Sequence, residues 1–291
     1  MSRVARVLLC ILGVLVASAA VVLLADGAVS TARGQRLDEL ALRGGTADEG
    51  PLTGVVFPAL DTVTIQVVVI ALLAAAVLAL LRRRYRVIVQ IALLTFGANI
   101  TTQVVKGLVL DRTALADQVA VTPNSFPSGH MTLAASVAVA VTVAVPQGVR
   151  SLTGILGVAW TAAAGTGTIA LGWHRPSDAI GALLVVGAWS CLVLMVEPRP
   201  TPSSPDQKRP RHSGATGALL LGAVTVVAAV GLVLALLALP TPLRLSDAGD
   251  QSLAYGASAL AMIAGSAAVM TVVLLLRAPD PQRAHPVERV P

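Results

Sequence analysis

Apolar residues in this chain come in long blocks, with no alternation of the kind a strand needs. Eight stretches, approximately 7–25, 62–81, 87–105, 129–149, 151–173, 179–196, 215–239 and 253–276, contain no Asp, Glu, Lys or Arg. As helices, they are long enough to cross about 30 Å of hydrocarbon at about 1.5 Å per residue. One charge at the centre of such a span would cost roughly 2.5–3.5 kcal/mol on insertion, so the empty charge record of all eight is informative. The pattern predicts an all-α, polytopic membrane helical bundle with about eight transmembrane helices.

The polar segments divide that bundle. Residues 1–196 form a six-span core. Residues 197–214 are Pro/Ser-rich and basic and read as a flexible cytoplasmic linker. Residues 215–276 add two transmembrane helices, and 277–291 read as a disordered cytoplasmic tail. The loop at about 26–61 is polar, and its stretch from Arg36 to Arg43 places leucines at 37, 40 and 42, a short amphipathic helix. A lid over a lipid entrance is one use for it. A solvated connector with one interfacial face is the preferred reading.

Composition agrees: 55% of the 291 residues are hydrophobic and 12% charged, with a mean hydropathy of +0.81. The net charge of +6 matters less than its placement. With the first span taken as running outward, the inner segments hold Arg3, Arg6, Arg82, Arg83, Arg84, Arg86, Arg150, Arg199, Lys208, Arg209, Arg211, Arg277, Arg283 and Arg289. The outer segments hold only Arg33, Arg36, Arg43, Lys106, Arg112, Arg175 and Arg244. That excess puts both termini in the cytoplasm. The inner cations serve as topological anchors facing anionic lipid, and no nucleic-acid motif accompanies them. The run from Val7 to Ala25 exceeds a signal-peptide core and reads as the first helix; a cleaved peptide would leave seven spans and the same outer side. Cys10 and Cys191 fall inside spans and read as small buried hydrophobes.

In so apolar a chain, polar residues near membrane depth carry the information. On the outer side they gather in two places. One holds Lys106, Asp111, Arg112, Asp117 and the run Asn124-Ser-Phe-Pro-Ser-Gly-His130. The other is Trp173-His-Arg-Pro-Ser-Asp178. Pro127, Ser128 and Gly129 mark a helix start whose free amides attract an anion, with His130 at its rim; an ordinary capped helix with an incidental His is the plain alternative. His174 and Asp178 share a face at spacing i, i+4, so the carboxylate can hold one ring nitrogen and leave the other as a nucleophile. The plain alternative there is a local hydrogen bond at a helix cap. Two outward-facing histidines suit phosphoryl transfer, one attacking phosphorus and one protonating the leaving oxygen. Lys106, Arg112 and Arg175 are the cations available for the phosphate oxygens.

Pro127-Ser-Gly-His130, followed by His174-x-x-x-Asp178 and preceded by Lys106, resembles the type 2 phosphatidic acid phosphatase superfamily, the lipid phosphate phosphatase group that shares its site with vanadium-dependent haloperoxidases. The resemblance covers about 100–196. It implies His174 as the nucleophile forming a phosphohistidine, Asp178 as its orienting carboxylate and His130 as general acid. It also implies Ser128, Gly129 and Lys106 as phosphate-binding groups, a six-helix fold with the site on the outer face, and no metal or cofactor. The sequence departs from the family pattern twice. Where the first motif carries Arg, seven positions after the Lys, stands Thr113, with Arg112 one place earlier. Where the third motif opens with Ser-Arg stand Gly167 and Thr168. Arg175 is the candidate replacement for the second missing arginine, since its fork suits phosphate oxygens. The expected activity is dephosphorylation of a lipid phosphate or polyprenyl (di)phosphate at the extracytoplasmic face, with a lipid phosphate substrate in the membrane as partner and no nucleic acid. The alternatives are a catalytically impaired lipid-phosphate binder or transporter, and a lipid-diphosphate-dependent phosphotransferase using the same site.

Overall fold

The computed structural model describes residues 3–47, 65–119, 124–195 and 212–278, and every structural statement below concerns these residues. Among them there are nine α-helices and no strand. They are α1 (Arg3–Leu24), α2 (Ala32–Thr46), α3 (Ile65–Leu81), α4 (Tyr85–Val104), α5 (Gly129–Ala144), α6 (Arg150–Ala170), α7 (Pro176–Met195), α8 (His212–Ala238) and α9 (Ala248–Leu276). Single π-helical turns extend α1 through Val29 and α4 through Val109. The tail at 279–291, most of the linker and part of the first outer loop lie outside the described residues, as do the expectations that fall on them.

The chain is a polytopic helical bundle. Six of its helices are long and apolar enough to cross a membrane, and two more, Val67–Leu81 and Gly129–Ala144, are apolar but shorter. Eight apolar helices therefore stand where eight stretches were expected, two of them below full span length. Capping explains the short α5. Ser128 starts it by accepting from the Met131 amide, and Val145 leaves helical geometry just before Pro146. That leaves 16 residues, about 24 Å at about 1.5 Å per residue. The expected 129–149 span thus ends at Ala144, and the next helix begins at Arg150.

The main apolar core draws on all eight hydrophobic helices, with Leu72 and Leu78 of α3 packed beside its Ala75 and Ala79. Small residues set the close approaches. A Cβ on Gly97 would strike the Trp189 ring, one on Gly165 would strike Met262, and one on Gly13 would strike Cys191. Cys10 and Cys191 are buried and unbonded.

The amphipathic segment after the first span departs from its expected role as a solvated connector. As α2 it is packed into the bundle end, burying Gln35, Asp38, Glu39, Leu40, Ala41, Gly44 and Gly45. Thr31 caps it by accepting from the Gly34 amide. Its apolar face, Leu40 and Ala41, meets Leu239, Leu245 and Ala254 of the α8–α9 hairpin. Arg43 reaches the same hairpin at the Leu245 carbonyl. The leucine spacing had exposed the apolar face, but the polar face is buried as well, because its carboxylates find cations among the loops they cover.

Gly44 is where α2 and α9 meet backbone to backbone: a Cβ there would collide with the carbonyl of Gln251, whereas one on Gly256 meets nothing within 4 Å. Gly44→Ala is therefore expected to destabilise the protein by about 1–3 kcal/mol, the usual cost of overpacking, with Gly256→Ala near neutral. Thermal unfolding of the two variants in detergent checks this; equal melting temperatures would show that α2 does not depend on that contact.

Candidate active site

Three chain segments meet at one end of the bundle. α4 ends there in the π-turn that carries Lys106. α5 begins there with His130 as its second residue, and the 171–175 turn delivers His174 to the start of α7. Helix polarity does the placing, since the starts of α5 and α7 lie at the same end and bring His130 of α5 beside His174 of the turn before α7.

The two imidazoles are in contact. His130 Nδ1 lies 3.2 Å from His174 Nε2, and the ring planes cross at 60°. His174 is buried, whereas His130 sits at the exposed rim with the Trp173 indole 5.6 Å away, ring centre to ring centre. Lys106 is within electrostatic reach of His130. Behind His174 lies Asp178, fully buried. Its Oδ2 accepts from Ser125 Oγ at 2.5 Å and from the Arg175 amide at 3.0 Å. His174 Nδ1 is 3.7 Å from the same oxygen, longer than a hydrogen bond.

Local sequence explains why these groups converge. Arg175 is the residue before the Pro176 that opens α7, and Asp178 is three residues beyond it. Asp178 reaches back to the Arg175 amide as the acidic member of a capping box does. Ser128 accepts from Met131, and its own amide donates to the Asp178 carbonyl, which ties the α5 start to the α7 start. Gly129 leaves its side open, the nearest atom to a Cβ there being Gln103 Nε2 at 3.5 Å. Asn124 donates to the carbonyls of Lys106 and Leu110 and accepts from the Phe126 amide, closing the loop between α4 and α5.

The arginines lie deeper than the histidines. Arg112 is buried between two carboxylates, with Nη2 2.9 Å from Asp38 Oδ2 and Nη1 3.7 Å from Asp178 Oδ1. Arg175, also buried, has Nη2 3.7 Å from Glu39 Oε2. The two positions where family arginines would stand contribute backbone instead. The Thr113 carbonyl accepts from Gln35 Nε2, and the Thr168 carbonyl accepts from the amides of Trp173 and His174.

The PAP2 superfamily family model matches residues 87–201. Residues 87–201 are therefore similar to PAP2 superfamily proteins. No curated protein and no solved structure matches the chain. The PAP2 region takes in nearly all of α4 through the whole of α7, and so holds both histidines, Asp178 and the three candidate cations. PAP2 proteins are phosphatases, which sets the chemistry of the site at a coarse level as phosphate-ester hydrolysis.

Every residue singled out from the sequence lies at this end of the bundle. What sequence reasoning missed are Asp38 and Glu39 of α2, outside the PAP2 region, and Ser125, inside it. The signal for the first two was present: Gln35, Asp38 and Glu39 follow the i, i+3, i+4 rule of one helical face. Ser125 stood inside the recognised loop, with nothing to show that its hydroxyl would turn toward Asp178.

Burial, reinforced by the negative charge of Asp178, pushes the Asp38 carboxyl up to about 6 against the opposing pull of Ser177 and Arg112. The folded protein therefore takes up a proton near pH 6 that the unfolded chain takes up only near 3.8. Stability from this group is fullest below 3.8 and is lost as the pH rises through about 6. Asp38→Asn should flatten the fall of melting temperature across that window. Thermal melts of both proteins at a series of pH values test this, and parallel curves would show that Asp38 does not titrate there.

Proposed function

We propose that the chain is a metal-independent lipid phosphate phosphatase working through a phosphohistidine. The observation that carries this reading is the 3.2 Å approach of His130 Nδ1 to His174 Nε2 with the Asp178 carboxylate behind His174. On it, His174 Nε2 attacks phosphorus, an N–P bond forms and the P–O bond to the lipid breaks. His130 gives its proton to the leaving oxygen. Water then attacks the phosphohistidine, His130 takes up the water's proton, the N–P bond breaks and phosphate leaves. Lys106, Arg112, Arg175, Ser128 and Gly129 hold the phosphate oxygens, so histidine and fixed cations carry work that other phosphatases give to metal ions.

Two imidazoles in contact leave no space for a phosphate between them. Attack needs roughly 3–3.5 Å from nitrogen to phosphorus, and the acid must stand about 2.6–3.2 Å beyond the leaving oxygen. His130 is the ring that yields, because it is the exposed one and His174 is packed. A lipid substrate is supported by the surroundings of Lys106: Leu108 is 83% exposed, Val109 66% and Trp173 45%, an apolar rim at the mouth of the charged site. The extracytoplasmic placement, with both termini in the cytoplasm, is supported by the opposite end of the bundle, which carries Arg82, Arg83, Arg84, Arg86, Arg150 and Arg277.

Purified protein should release phosphate from lipid phosphates in the presence of a chelator. His174→Ala should abolish that release, and His130→Ala should slow it by about 10²–10⁴-fold, the usual size of acid–base catalysis. Turnover that survives His174→Ala would end the phosphohistidine mechanism. Arg175→Ala should lower kcat/KM; unchanged kinetics would remove Arg175 from the phosphate site.

A further inference from the structure

The start of α7 has an unusual cap. Its capping position is Arg175, whose side chain has no acceptor to offer, and Pro176 has no amide to satisfy. The first free amide that would normally be met by a capping Ser, Thr, Asp or Asn belongs to Ser177. Asp38, 139 positions earlier in the chain, meets it: Oδ1 accepts from Ser177 N at 3.1 Å, and Oδ2 accepts from the Ser177 hydroxyl. The same Oδ2 accepts from Arg112 Nη2 at 2.9 Å. One carboxylate thus joins the helix start that bears His174 to the loop that bears Arg112.

Arg112 itself is buried between carboxylates. Its side chain is 4% exposed, yet Nε and Nη1 have no hydrogen-bond partner. Asp178 Oδ1 stands 3.7 Å from Nη1, a charge contact longer than a hydrogen bond, so these donors keep capacity for a further oxygen. Its position in sequence adds to this, being one residue short of the family's arginine. In a helix a slip of one residue turns a side chain by about 100°. In this loop the direction is set by what grips the guanidinium, and Asp38 is the closest grip.

We propose that Asp38 is a positioning residue that aims Arg112 at the substrate phosphate and ties it to the His174 helix, doing from outside the PAP2 region what the displaced motif cannot do from within it. This rests on the phosphate-site reading above. Glu39, 3.7 Å from Arg175, is the neighbouring carboxylate on the same turn. Gln35, which donates to the Thr113 carbonyl and accepts from the Leu115 amide, holds the Arg112 loop against α2.

Asp38→Asn separates the two duties. An asparagine oxygen still caps Ser177, but its amide group cannot accept from Arg112. Inorganic phosphate is the probe, read through the concentration at which it raises the melting temperature of the whole protein in detergent, so no turnover is required. Wild type, Asp38→Asn, Arg112→Ala and the double variant form a cycle. The expected result is that Asp38→Asn weakens phosphate binding about tenfold in the wild-type background and has little further effect once Arg112 is alanine. Where a lipid phosphate is turned over, kcat/KM should fall by about 100-fold, the scale of a misplaced binding group. Wild-type phosphate binding in Asp38→Asn overturns the proposal. So does equal weakening in both backgrounds, and so does a wild-type protein on which phosphate has no effect. Should Asp38→Asn melt well below the wild type, Arg112→Lys supplies the second cycle, with the same outcomes. Failure of the phosphatase reading shows up separately, as turnover surviving His174→Ala while the phosphate cycle keeps its result.

Discussion

A fully buried carboxylate at the mouth of an apolar bundle has to be compensated, and Asp178 is the group on which the local architecture turns. Isolated, such a charge would be strongly disfavoured. Here it accepts from the Ser125 hydroxyl and the Arg175 amide, and lies within ion-pair reach of Arg112 and His174. Each compensation recruits a different piece of chain. Ser125 brings in the loop before α5, Arg175 brings the turn before α7, and Arg112 brings the segment after α4. His174 is held with its Nε2 turned toward His130 at the rim. The site is assembled because the carboxylate needs partners, and the partners are what a phosphate needs too.

That account extends beyond the PAP2 region. Arg112 lies between Asp178 and Asp38, and a guanidinium shared by two carboxylates demands that both be fixed. Asp38 is fixed by α2, and α2 is fixed by the α8–α9 hairpin through Leu40, Ala41, Arg43 and the glycine contacts at Gly44 and Gly45. The two added spans therefore have a physical connection to the site. They hold down the helix that holds Arg112, and a disturbance at the α2–α9 contact has a short route to the histidines.

The fold was legible because burial in lipid writes itself as long charge-free blocks, and the eight apolar helices stand where those blocks stand. The two short ones were not legible as short, since hydropathy does not register a Ser128 cap or the break imposed by Pro146. The histidine pair was legible through spacing: His130 stands in the first turn of α5, His174 stands just before α7, and the two helix starts share an end. The role of α2 was not. Its leucines announced an apolar face, but Asp38 and Glu39 look like ordinary solvent-facing acids until their partners, 74 and 136 positions away in sequence, are seen beside them. Contacts of that range are set by topology, and no local pattern encodes them.

Charge balance at the site carries the argument one step further. Two of its three candidate phosphate-binding cations already face α2 carboxylates, Arg112 with Asp38 and Arg175 with Glu39. If net positive charge were what gathers the phosphate, these pairings would work against it. They make sense if orientation is the scarcer quantity. A charge-assisted pair fixes the plane of a guanidinium, and Arg112 is fixed by Asp38 at Nη2 and faced by Asp178 at Nη1. Attraction then falls to Lys106 and to the amides at the start of α5, which are nearer the rim. On the proposed phosphate reading, this division would have the deep arginines select the geometry of the phosphate and the shallow groups draw it in. That is how a site with a displaced motif arginine can still present its donors in a fixed array.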